Sequence, residues 1–158
     1  MKKIPTFNII LFKPEIPPNT GNIIRLCANT GSMLHLIKPL GFNTDEKSMR
    51  RAGLDYKKKM KMKIYDSFNE FISINSLERI FLVTKFGNNR YDKLNYKIGD
   101  SFMFGSESTG ISKDVYKKLS SSKKIFLPMF PDNRSLNLAN VVSICIFEAW
   151  RQNNFLSS

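Results

Sequence analysis

Imidazole and thiol are almost absent from this sequence, which has one histidine, His35, and two cysteines, Cys27 and Cys145. A structural zinc needs about four clustered ligands, and neither cysteine has a CxxC partner, so no metal site is expected. Both cysteines fall in apolar helical patterns and read as buried thiols in a reducing compartment, though spacing alone leaves a disulfide between them open. Long apolar runs are missing as well: nothing approaches the roughly 20 residues of a membrane-spanning helix. The short run at residues 7–12 is stopped by Lys13 and Pro14, so it does not read as a secretory signal core. A cytoplasmic protein without membrane attachment is expected. Acidic residues are scarce, 13 against 25 lysines and arginines, for a formal net charge of +12. That imbalance favours a polyanionic partner, nucleic acid first and a membrane surface second. The bland alternative is a soluble protein rich in lysine.

What is present fits one globular domain of 158 residues, 42% hydrophobic and 24% charged. Apolar runs at residues 7–12, 33–37, 80–84, 101–104 and 124–127 read as strands. Helices are expected over 22–29, from a cap at 43–46 to Gly53, over 68–74 behind a Ser67/Glu70 capping box, from Ser112 to 119, and over 137–152. This alternation implies an α/β fold with a mostly parallel sheet and helices on both faces. The last helix is apolar nearly all round: Leu138, Val142, Cys145 and Ala149 share one face, while Val141, Ile144, Phe147 and Trp150 fill others. It needs cover on more than one side, from the core or from a partner subunit.

Three segments look over-specified for folding alone. In the first, Pro17-Pro18-Asn19-Thr20-Gly21-Asn22, adjacent prolines fix φ and remove donors, so residues 15–21 are expected to be irregular. Arg25 follows one turn into a helix, where it can reach a phosphate, or merely pack its stem and leave its head in water. The second, Phe104-Gly105-Ser106-Glu107-Ser108-Thr109-Gly110, has GxxxxG spacing, but Ile111 stands where a P-loop needs lysine. No GxGxxG follows a strand either, so a Rossmann site is unsupported. What remains is a glycine-bounded turn at a strand's carboxyl end, presenting Glu107 to a ligand or to solvent. The third, residues 127–138, is stiffened by Pro128 and Pro131 and ends in Ser135 and Asn137 at a helix start. Those side chains suit ligand binding or simple capping. Five lysines in residues 57–63 could track an RNA backbone or form a solvated face, and flanking Tyr56 and Tyr65 could stack on bases. His35 reads as a hydrogen-bonded core or edge histidine.

Taken together and in order, residues 14–31 (PEIPPNTGNIIRLCANTG), 51–56 (RAGLDY), 103–107 (MFGSE), 134–140 (RSLNLAN) and 148–152 (EAWRQ) resemble the SPOUT methyltransferases. More narrowly they resemble the TrmL/YibK branch, which methylates wobble nucleotides of tRNA on the ribose. The resemblance runs from about residue 7 to residue 152. It implies a single SPOUT domain over residues 1–158, with a deep C-terminal trefoil knot over about 80–152. Knots are rare enough that spacing alone would not suggest one. It implies S-adenosyl-L-methionine, released as S-adenosyl-L-homocysteine, held by loops around Val83 and Thr84, Gly105 and Glu107, and Leu127 and Met129, with Ser135 and Leu136 closing the pocket. It implies a homodimer through the first and last helices, and the anticodon stem-loop of tRNA as substrate.

The implied reaction is methyl transfer to the ribose 2′-hydroxyl of a wobble cytidine or modified uridine. Arg25, Asn19, Glu107, Ser135 and Asn137 would form the catalytic group, with Arg25 assigned to the hydroxyl and assisted by a substrate phosphate. Arginine is normally too basic to abstract a proton, so positioning of phosphate and ribose is the firmer part of that role. Phe147 stands where relatives often carry tyrosine, and Ser106 where proline is common, which is expected to loosen the second loop. Other expectations consistent with the residues are the same chemistry on another RNA, such as ribosomal RNA, and an RNA-binding module of the same fold without catalysis. A membrane-surface role is the weakest, because the lysine run lacks an amphipathic apolar face.

Overall fold

Uninterrupted isoleucine, leucine and phenylalanine make β1 (Asn8–Phe12) a strand buried on both faces, the pattern of a central parallel strand. The computed structural model describes residues 5–51 and 61–156. Around β1 it places β2 (Met33–Ile37), β3 (Met62–Tyr65), β4 (Ile80–Val83), β5 (Asn89–Arg90), β6 (Ser101–Phe104) and β7 (Lys124–Phe126). All their pairings are parallel, in the order β3-β2-β1-β6-β4-β7-β5. The helices are α1 (Pro17–Thr30), α2 (Glu46–Arg51), α3 (Phe68–Ile74), α4 (Lys113–Lys118) and α5 (Leu138–Gln152).

Period-two alternation along the strands feeds two separate cores. Phe7, Ile9, Leu11, Leu34, Leu36, Phe102 and Phe104 pack with Ile23 and Cys27 of α1, Met49 of α2, and Val142, Cys145, Ile146 and Ala149 of α5. Ile10, Phe12, Ile37, Leu82 and Met103 face the other way, onto Phe68 and Phe71 of α3, Val115 of α4 and Leu119 just beyond it. Helices therefore cover both faces, as the element order implied.

Four sequence expectations are corrected. Residues 17–21 are helical, because prolines at the first two positions of α1 lose only amides that have no intrahelical partner there. The end of the lysine run becomes edge strand β3, and its exposed Lys63 suits an edge that must not pair further. Residues 57–60, Tyr56 and Gly53 lie outside the described residues. Tyr65 is no base-stacking platform: it is 2% exposed, with its ring stacked on His35 and edge-on to Phe71. The capping box differs from the expected form. Ser67 accepts from the Glu70 amide, while the Glu70 carboxylate accepts from the Asp66 amide.

Both cysteines are free and buried; burial pushes the Cys27 thiol up to about 12 and Cys145 higher still. On α5 the face bearing Val142, Cys145 and Ala149 is the core face, while Ile144 and Phe147 remain 38% and 47% exposed.

His35 is held at both ring nitrogens, 3.0 Å from the Tyr65 hydroxyl and 3.0 Å from Asn8 Oδ1. Because Asn8 Nδ2 donates to the Gly99 carbonyl, its Oδ1 is the acceptor, so Nε2 of His35 carries the proton and Nδ1 accepts from tyrosine. Burial first, then the charge of Lys63, lowers the imidazole to about 4. The unfolded chain takes up this proton near its ordinary value of 6.5. The stability from neutral His35 is therefore complete above that value and is lost as pH falls toward 4, by about 3 kcal/mol across the window. Urea midpoints at pH 7 and pH 4.5 should show a steeper acid decline for the native chain than for His35→Gln. Equal slopes would remove His35 from the pH dependence.

Candidate active site

Strands β4, β6 and β7 lie side by side in the sheet, so the loops leaving their carboxyl ends converge. That end of a parallel sheet is where α/β proteins bind ligands. Directly after β6, Gly105 leaves no room for a side chain: a Cβ there would sit 2.5 Å from the Gly110 carbonyl carbon. The loop closes on itself through Ser106 N to Gly110 O at 3.1 Å and Gly110 N to Ser106 O at 3.0 Å. Ser106 takes part in this closure through its side chain as well. Its hydroxyl lies 2.7 Å from that of Thr109 and knits the turn together.

The closed loop presents Glu107 to the start of α1. One carboxylate oxygen accepts from the Glu15 amide at 2.8 Å; the other accepts from the Ile16 amide at 3.1 Å and from Asn19 Nδ2 at 3.2 Å. The N-cap residue of α1, Ile16, has no capping side chain of its own. A carboxylate about ninety residues away thus supplies the negative charge that a helix N-terminus favours. Asn19 passes the connection on, its Oδ1 accepting from Asn137 Nδ2 at 2.8 Å. Asn137 in turn caps α5, its Oδ1 accepting from the Ala139 amide at 2.9 Å. Of the two capping candidates, Asn137 performs the task and Ser135 stays exposed in the preceding loop.

Between these parts lies a cleft of about 560 Å³, within the usual range of small-molecule sites. All eight residues expected at a cofactor, Val83, Thr84, Gly105, Glu107, Leu127, Met129, Ser135 and Leu136, line it. So do Asn19 and Asn137. Arg25 does not line it. It is exposed on α1, six residues beyond Asn19, or about 9 Å along the axis. Among the described residues it forms no ion pair. The structure therefore separates Arg25 from the other four expected catalytic residues. Among the described residues there is no group of three or more candidate metal ligands, and no helix is long and apolar enough to cross a membrane.

Sequence reasoning missed part of the wall. Lys85 and Phe86 continue the loop after β4, and extending that strand-end signal by two residues would have found them. Tyr116 enters from α4. Its hydroxyl donates to the Phe86 carbonyl at 3.4 Å, and its ring lies 3.6 Å from the ammonium of Lys124. No spacing rule pointed to it, because Val115 and Leu119 define the buried side of that segment.

The family model for SpoU rRNA methylases matches residues 6–147. The chain belongs to the SpoU rRNA methylase family. Among SpoU relatives, the tRNA (cytidine(34)-2′-O)-methyltransferase of Burkholderia ambifaria is 49% identical over 151 residues, spanning 94% of this chain and 97% of the relative. The enzyme of the same name from Escherichia coli K12 is 47% identical over 145 residues, 92% of each chain. A solved structure concerned with the 2-OH methylation of C/U34 on tRNA superposes with a TM-score of 0.85 at 35% identity, covering 95% of this chain and 97% of that one. The SpoU methyltransferase AviRb of Streptomyces viridochromogenes, solved with AdoMet, shares the fold with a TM-score of 0.79 at 22% identity, covering 98% of this chain and 60% of that one.

Replacing Glu107 by alanine strands two backbone amides and the Asn19 side chain, and should cost about 1–3 kcal/mol in urea unfolding. Glu107→Gln, which keeps one acceptor oxygen, should cost less. Equal stability of Glu107→Ala and the native chain would show that water replaces the carboxylate without loss.

Proposed function

We propose that this SpoU protein transfers a methyl group from S-adenosyl-L-methionine to the ribose 2′-hydroxyl of nucleotide 34, a cytidine or modified uridine, in the tRNA anticodon loop. The observation that carries this reading is near-full-length identity of about half to enzymes named for that reaction, together with a cleft built from every residue expected at the cofactor.

The donor set of the cleft fits the cofactor. Val83, Phe104, Leu127, Leu138 and Val141 give carbon walls suited to a purine ring, while Ser135 and Thr84 supply hydroxyls. Glu107 is the one carboxylate in the lining among the described residues. Its recorded hydrogen bonds run to the start of α1, so it acts as a positioning residue that fixes the wall. When bound, the cofactor supplies an electrophilic methyl on a sulfonium. What the protein must then do is align a ribose hydroxyl and keep water out. Asn19 and Asn137 hold the starts of α1 and α5 against each other, which keeps the cleft and the Arg25 helix in fixed relation. Arg25, exposed and outside the cleft, acts as a cation on the target phosphate and ribose. A guanidinium keeps its protons in proteins, so its contribution is orientation.

Two further features belong to this reading. The chain forms a homodimer, for which the uncovered Ile144 and Phe147 of α5 supply an apolar contact. The segment from about residue 80 is knotted. In support, β7 lies between the earlier strands β4 and β5, and the end of α5 is bonded to the loop before β6 through Gln152 with Tyr96 and Leu94. The net charge of +12 provides the electrostatic attraction that RNA binding requires.

Labelled S-adenosyl-L-methionine and tRNA lacking wobble methylation should give a 2′-O-methyl group mapped to nucleotide 34. Incorporation only into ribosomal RNA would reassign the substrate, and cofactor binding without any transfer would leave a binding module. Arg25→Ala should lower kcat/KM by about two orders of magnitude with cofactor affinity preserved; full turnover would remove Arg25 from the mechanism. Phe147→Glu should elute as a monomer on sizing chromatography, and a stable dimer would refute the α5 contact.

A further inference from the structure

Every residue from 128 to 137 is exposed, and Met129, Ser135, Leu136 and Asn137 of this stretch line the cleft. Phe130 is 87% exposed, the most exposed large apolar side chain among the described residues. The loop beneath it is nevertheless shaped. Pro128 and Pro131 bracket the phenylalanine, and Asn133 Nδ2 donates to the carbonyls of Phe130 at 3.4 Å and Pro131 at 3.2 Å. Asp132 sits in the left-handed region at φ 63°, unfavourable for a residue with a Cβ. A ring held in water on a fixed turn forgoes the burial a phenyl group ordinarily gains. Cations accompany it. Arg134 is exposed four residues on and makes no ion pair among the described residues. In the same cleft lining, Phe86 is 66% exposed with the Lys85 ammonium 5.1 Å from its ring centre.

Exposed aromatic faces interleaved with cations are what an unpaired nucleobase and its phosphates require. We propose that Phe130 is a stacking platform for the unpaired base next to the methylated nucleotide, with Arg134 on the adjoining phosphate. This rests on the RNA substrate proposed above and deepens it. Because the turn is already ordered, stacking costs little conformational freedom. Because every base has a π-face, the contact holds many sequences but requires a base free of its neighbours. It therefore selects an open loop over a duplex rather than one sequence over another.

The test compares the full-length native chain with Phe130→Ala and Phe130→Trp on an anticodon stem-loop RNA carrying 2-aminopurine beside the target nucleotide. The native chain and Phe130→Trp should quench the fluorophore; Phe130→Ala should not, and its KM for tRNA should rise about tenfold with a smaller change in kcat. Undiminished quenching by Phe130→Ala overturns the proposal whether or not methyl is transferred. Weakened S-adenosyl-L-methionine binding in that variant would place the ring on the cofactor instead. A shift to monomer would place it at a subunit contact. Quenching by the native chain without methyl transfer to tRNA would count against the proposed reaction alone.

Discussion

A carboxylate from the middle of the chain holds together two helices that begin about 120 residues apart. Glu107 accepts from two backbone amides at the start of α1 and from Asn19, and Asn19 accepts from the residue that caps α5. Each contact is a common one, a cap or an amide pair. Their arrangement in series is what matters, because Glu107, Asn19 and Asn137 also lie on the wall of the cleft. Helix termini carry unpaired amides that must be satisfied somewhere. Here the satisfaction of two termini and the shape of a binding site are one set of hydrogen bonds. A disturbance at either helix start is therefore felt in the cleft.

That arrangement divides the labour of the site. The carbon walls and loop backbones of the strand ends suit a small cofactor, while Arg25 and Phe130 are exposed outside the cleft lining. Positive charge is spread over the surface rather than gathered in the cleft, where Lys85 is the one cation in the lining among the described residues. A polyanion is thus drawn to the surface by long-range attraction.

Much of this was legible in the sequence because burial and backbone geometry leave strong local signs. The apolar runs of β1, β2, β4 and β6 announced strands, and Ser112 and Asn137 announced helix starts. The cleft lining was legible through the resemblance: Gly105, Glu107, Ser135 and Leu136 sit in its strings, and Val83, Thr84, Leu127 and Met129 stand at or just beyond strand ends. What escaped was set by tertiary context. Pro17 and Pro18 read as breakers because a local rule cannot tell an irregular loop from the first turn of a helix. Met62 and Lys63, the start of β3, read as the end of a lysine run because an edge strand tolerates charge on its open side. Tyr65 read as a surface aromatic until its partners, His35 and Phe71, came from other elements. Tyr116 joined the cleft only because α4 packs where it does.

The parallel sheet also sets an order of events during synthesis. β1 is made first, but one of its two neighbours is β6, with Asn8 beside Ser101 about ninety residues later. Until β6 emerges, one edge of this buried strand has no partner, and a ribosome-bound chain carries an open edge suited to association. The strand that mends this edge also delivers Gly105 and Glu107, and the last wall of the cleft follows with residues 127–141. Ligand binding is thus deferred until the hazard has been removed. A chain truncated before β6 would be both sticky and unable to be rescued by its own ligand.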